Sequence, residues 1–228
     1  MREILGRRRK ISLRWRARTA HLDAALGYAT GWGWRVVPGV DPDRRAARRA
    51  GGRTACTCGR PGCPVPGAHP LDPGLLAATR DERMVRWWWR TRPEAPIVLA
   101  TGDHVSAASV PAAAGPAALG AMDRLGVRLG PVLATPSRYV FLVAPYSLAE
   151  LGELLDTSDW VPTSLRFHGE GGYVVLPPAG EHPGEPYWVR APRVPAGGRV
   201  PWLPRIEVLV DALVRAGRSA PDGDRLRY

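Results

Sequence analysis

Between Val105 and Met122 the chain carries no Asp or Glu, and the segment opens with the small and apolar run VSAASVPAAAG, Val105 to Gly115. Ahead of it lie the apolar Ile97 to Ala100 and a Thr101-Gly102 turn. Behind it Ala117, Ala118, Leu119, Met122 and Leu125 place a small-residue packing face on a helix over Pro116 to Leu125. A strand entering a helix at the centre of the chain is the expected pattern. Pro111 has no amide to donate, so it must sit on an edge strand or at a strand's end.

The chain has 228 residues, 45% of them hydrophobic, enough for one substantial core. The division expected is a basic arm over residues 1–18, one domain over 19–217 and a tail over 218–228. No apolar run approaches the roughly 18 residues a membrane span needs, and the start lacks the apolar core of a signal peptide, so a cytoplasmic protein is expected with no membrane partner. The net charge of +11 favours a polyanionic partner, because arginines that neutralise phosphates release condensed counterions. Arg7, Arg8, Arg9 and their basic neighbours, interleaved with Ile11, Leu13 and Trp15, are candidates for phosphate contact. A solvated terminus reads the same way.

Leu22, Ala25, Leu26 and Ala29 fall at helical spacing after Thr19 and run to Gly31, and a strand then reads from Trp32 to Pro38. A helix capped by Thr79 is expected to reach Trp87-Trp88-Trp89. Three consecutive indoles span about 200° of a helix, so at least one must leave the core stripe, for packing or for stacking on a base. Strands are expected over Pro131 to Thr135, Arg138 to Ala144, Trp160 to His168 and Gly172 to Leu176, with Pro177-Pro178 ending the sheet. Ser147 caps a helix through Leu155, and Arg205 to Ala216 forms a docked terminal helix ending at Gly217. Helices feeding strands in this order predict an α+β domain.

All three cysteines lie in an insert over 54–72. Cys56, Cys58, Cys63 and His69 follow C-x-C-x4-C-x5-H, a Cys3His donor set suited to structural zinc, since four protein ligands leave no open position for a substrate. A Pro- and Gly-rich segment has little core of its own, and a metal would supply its folding free energy. Three reduced thiols with a capping histidine is the alternative. No P-loop, no G-x-G-x-x-G and no G-x-S-x-G elbow is present, and His168-Gly169-Glu170 is not followed by the P-C-x-x-C of zinc deaminases.

The order of these pieces resembles the N-terminal domain of the bifunctional DNA primase/polymerases, in the archaeo-eukaryotic primase superfamily. The likeness covers roughly residues 20 to 205. It rests on Gly31-Trp32 leading into Val36-Val37-Pro38, the Cys/His insert with Gly67 and Pro70, Ala78-Thr79 with Asp81, Trp88-Trp89, Pro93, Thr101-Gly102, and Gly171-Gly172-Tyr173-Val174-Val175 before Pro177-Pro178. The resemblance implies a primase/polymerase-like (RRM-like) mixed sheet with packed helices. It also implies two Mg2+ ions held by three acids. The first pair, Asp-x-Asp, aligns with Ser109 and Pro111; the third aligns with Arg166; the family histidine falls near Arg138 or Tyr139; and the lysine before His-Pro is Ala68. Only Asp103, Asp123 and Glu170 remain as carboxylates near these motifs. A catalytically inactive domain is therefore expected, without Mg2+, that keeps nucleic-acid or nucleotide binding through an anion site at Arg138, Arg166 and His168. Residual nucleotidyl transfer and a protein-interaction role are the other readings.

Overall fold

The computed structural model describes residues 19–41, 43, 56–60, 62–178 and 185–219. The arm with Arg7, Arg8 and Arg9 lies outside the described residues.

The first helix, α1, runs over 19–26 and closes in a π turn, Gly27–Gly31. Strand β1 follows, Val36–Pro38. Helix α2 spans Glu82–Thr91, β2 Ile97–Ala100, β3 Ser106–Pro111, and α3 Gly115–Arg124. Then come β4, Val132–Ala134, β5, Arg138–Val143, α4, Leu148–Asp156, and β6, Arg166–His168. The chain continues with β7, Tyr173–Leu176, β8, Tyr187–Arg190, and α5, Glu207–Ser219.

The strands form a three-stranded sheet, β1-β2-β7, and a five-stranded sheet, β6-β3-β5-β4-β8. The α+β class is as expected. The mixed sheet is instead two sheets, in which every pairing among the described strands is antiparallel.

Side chains alternate across a strand, and residues paired across antiparallel strands share a face. One face of the large sheet, carrying Ala107, Leu133, Val140 and Leu142, packs into a core with Ile97, Leu99 and Val174 of the small sheet and with Ala25, Val85, Trp88 and Trp89 of α1 and α2. The opposite face, carrying Ala108, Val110, Phe141 and Val143, packs on Ala118 and Met122 of α3, Leu151 of α4, and Leu209 and Leu213 of α5. The large sheet is thus packed on both faces, and groups on it reach solvent at strand ends and along its edge strands β6 and β8. No helix among the described residues is long and apolar enough to cross a membrane.

Four expectations are corrected. The first strand is confined to Val36–Pro38 rather than starting at Trp32. Asp81, not Thr79, caps α2, its carboxylate accepting from the Met84 amide at 2.8 Å, because the Thr79 backbone is engaged in a bridge with Val36. The strand over Trp160 to His168 shrinks to Arg166–His168, since Pro162 has no amide to donate and its carbonyl takes the Leu165 amide in a turn. Finally, the sheet does not end at Pro177-Pro178: β8 returns to pair with β4, with an irregularity between Val132 and Leu133. Pro111 ends β3, which is an interior strand, so the strand-end alternative holds.

Candidate anion site and metal centre

The register of the large sheet brings the separated family positions together. Ser109 pairs with Arg166 of β6 on one side and Val140 of β5 on the other, and Pro111 pairs with Arg138. His168 lies opposite Ala107, one step along the same face. Ser109, Pro111, Arg138, Arg166 and His168 therefore share one face at the end of the sheet where β3 stops.

They are joined by a hydrogen-bond chain. Arg138 donates through Nε to Ser109 Oγ at 2.8 Å, and through Nη2 to the carbonyls of Ser109 and Ser164, each at 2.6 Å. Ser109 Oγ lies 2.9 Å from His168 Nε2, and with Arg138 donating to that oxygen, its hydroxyl proton is directed to the ring nitrogen. The other side of the ring is engaged with the Tyr173 backbone. Burial, followed by the positive charges of Arg138 and Arg166, lowers the His168 pKa from 6.5 to about 4, so the ring is uncharged at neutral pH. Both ring nitrogens of His168 are thus engaged within the network. Arg166, half-buried across from Ser109, makes no hydrogen bond or ion pair among the described residues.

Among the described residues, no strand of either sheet contains an Asp or Glu. The acids nearest the family motifs are engaged elsewhere. Asp123 on α3 is held by Arg190 Nη2 at 2.5 and 2.6 Å. Asp103 pairs with Arg35 at 3.3 Å in the turn after β2. Glu170 sits in the turn after β6, packed so closely on Gly102 (φ 111°) that a Cβ there would lie 2.4 Å from its Cα. Ser109 itself is fully buried, and His168 has a carbonyl rather than a carboxylate behind it, so the pair lacks the exposed nucleophile and acid of a hydrolytic triad.

The insert converges as its spacing predicts. The ligand atoms of Cys56, Cys58, Cys63 and His69 all lie within 4.8 Å of one another, and this set could hold a metal such as zinc. His69 Nε2 is 3.7 Å from Cys56 Sγ and 3.4 Å from Cys63 Sγ, bracketing the roughly 3.6 Å that tetrahedral zinc geometry requires between sulfur and nitrogen. Its Nδ1 donates to the Pro70 carbonyl at 3.1 Å, which leaves Nε2 as the lone-pair nitrogen facing the thiols. Cys56 and Cys58 are closer, 3.0 Å between sulfurs, as the short C-x-C spacing dictates. Burial pushes the Cys63 thiol up to about 11, and neighbouring Cys56 and Cys58 add to the rise; a divalent cation among them would reverse that balance.

Gly67 adopts φ 69°, a left-handed turn that sets up the approach of His69. The insert is tied to the sheet by the Val40 amide on the His69 carbonyl at 2.9 Å and by Arg92, the residue after α2, which reaches Asp41 and the Asp72 carbonyl. The Cys/His cluster and the arginines carry a residue signature in the sequence. The Ser164 carbonyl that anchors Arg138 and the backbone partner of His168 do not, because main-chain acceptors carry no residue signature.

No curated protein and no solved structure gives a significant match. The family model described as bifunctional DNA primase/polymerase, N-terminal, matches residues 25–204, a span that contains both sheets, the Cys/His insert and every family position on the large sheet. The chain therefore belongs to the bifunctional DNA primase/polymerase N-terminal domain family.

Proposed function

We propose that this domain has lost two-metal nucleotidyl transfer and acts as a nucleic-acid or nucleotide binding module, with a fixed guanidinium in place of the metal ions. The observation that supports this reading is the cross-strand set of Ser109, Pro111 and Arg166, which the resemblance aligns with the family's three acids, and Arg138, aligned near its histidine, all on one face of one sheet. Two Mg2+ ions about 3.5–4 Å apart need bridging acids, and the strands here offer hydroxyl, proline and guanidinium groups. Arg138, bound to two carbonyls and a hydroxyl, is the immobile positive charge, and Arg166 is the group that contacts phosphate. The Cys/His set holds a structural zinc ion that folds the insert against β1.

The test pairs an activity with a binding measurement. Primer synthesis and extension on a single-stranded template, with Mg2+ or Mn2+, should give no product. Labelled oligonucleotide and nucleoside triphosphate should bind equally with and without added Mg2+, and Arg166→Gln should weaken that binding by about tenfold or more, as expected for a lost charge-assisted contact. Divalent-dependent nucleotide incorporation by the wild-type protein would overturn the inactive reading. Binding that requires added Mg2+, or that is indifferent to Arg166→Gln, would overturn the metal-free anion site.

A further inference from the structure

Helix α2 uses two of its three consecutive tryptophans for the core and leaves the third outside. Trp88 and Trp89 are 5% and 1% exposed and meet edge to face, with Trp89 Nε1 donating to the Ala95 carbonyl at 2.9 Å. Trp87 is 58% exposed. At about 100° per residue, Arg83, Met84, Trp87, Arg90 and Thr91 share an arc of about 120° on the side away from Val85 and Trp89, and all five are exposed. The exposed indole offers a flat apolar ring open to a stacking partner.

The charge on this face indicates what that partner is. Glu82 is engaged by Arg86 at 2.6 Å, and Asp81 is used as the helix cap. Arg83 and Arg90, one turn to either side of Trp87, make no ion pair or hydrogen bond among the described residues. A flat aromatic ring bracketed by two guanidiniums about 10 Å apart along a helix matches a ligand with alternating stackable rings and negative charges. We infer that the outer face of α2 is a second nucleic-acid contact, which stacks an unpaired base of a single strand on Trp87 and takes the adjoining phosphates on Arg83 and Arg90. The face is separate from the anion site: α2 packs on β1 of the small sheet, whereas Arg138 and Arg166 lie on the large one. Sequence-independent binding is expected, since stacking and phosphate contact read no base edge.

The experiment measures fluorescence anisotropy of a labelled oligothymidylate titrated with the full chain across a salt series. Trp87→Ala should weaken binding by about fivefold to a hundredfold, and Trp87→Phe, which keeps a stacking ring, should recover most of it. Arg83→Gln with Arg90→Gln should lower the slope of log affinity against log salt by about 1.4, two phosphates' worth on a single strand. Because the replaced side chains are exposed, unfolding temperatures should match wild type. Inorganic pyrophosphate, too small to span a base and its phosphates, should bind Trp87→Ala as well as wild type and bind Arg166→Gln poorly, which separates this site from the cleft. The inference is overturned if Trp87→Ala changes oligothymidylate affinity by less than about twofold, or if wild type binds no oligothymidylate at low salt. It is also overturned if polyglutamate competes as well as unlabelled oligonucleotide, a result that would assign the face to an acidic protein.

Discussion

Lowering the pH should loosen the fold through His168, and the size of the effect follows from the burial of its ring. Its folded-state pKa is about 4, against 6.5 for an ordinary histidine. Between those values the unfolded chain binds a proton that the folded chain refuses, so stability falls as pH drops through 6.5 and levels off only below 4. Two and a half pKa units set the full loss at about 3 kcal/mol, and roughly 40% of it is reached by about pH 5.5. For a chain of this size that corresponds to about 3–6 °C of melting temperature. The assay is thermal unfolding followed by circular dichroism at about pH 7.5 and about pH 5.5, for wild type and His168→Gln. Gln keeps a hydrogen-bonding group beside Ser109 and removes the titration, so the pH-dependent drop should shrink by that amount. Taking the difference between the two proteins cancels the other titrating groups. Equal drops in both would refute the placement of an uncharged imidazole between two guanidiniums. An anion bound at Arg166 should reduce the wild-type drop, because it offsets one of the charges that hold the ring neutral.

Three further outcomes follow from the same structure. Protein purified without chelator should contain one zinc ion per chain by elemental analysis, and Cys63→Ser should abolish it and lower the melting temperature; metal-free protein with an unchanged melt would refute the zinc centre. Gly115→Ala should destabilise by about 1–3 kcal/mol in urea unfolding, because a Cβ there would lie 2.1 Å from the Tyr139 ring at the start of α3; an unchanged midpoint would show that the ring moves aside freely. Ser147→Ala breaks a reciprocal cap, in which the serine hydroxyl accepts from the Glu150 amide at 3.1 Å and Glu150 accepts from the Ser147 amide at 2.8 Å. It should cost about 1 kcal/mol with an unchanged urea dependence, and no change in midpoint would refute the cap's contribution.

Elements whose signal is local were legible in advance. Ile97–Ala100 is a continuous apolar run bounded by a turn, and α4 starts at Ser147 because the serine and Glu150 sit at cap spacing. The helix after Pro111 and the terminal helix likewise declared themselves through small-residue and apolar stripes. Strand β8 did not, because Tyr187–Arg190 is short and its existence depends on the edge that β4 offers it. Thr79 and Asp81 are both competent caps, and only the bridge from Thr79 to Val36 decides between them.

The sequence by itself determined which groups are available: no carboxylate between Val105 and Met122, a Cys3His set within one short insert, and Ser109, Pro111 and Arg166 where the resemblance aligns acids. These are matters of residue identity, and no fold can put an acid where none is encoded. Tertiary structure decided what those groups do. Antiparallel register placed Ser109 between Arg166 and Val140, tied Arg138 to three oxygens, and buried His168 until it could no longer hold a proton at neutral pH. It also selected Trp87 as the one indole of three left facing solvent, because a helix packed through Val85, Trp88 and Trp89 has only one side free. Pairing across strands and burial depend on residues far apart in the chain, and local spacing carries no record of either.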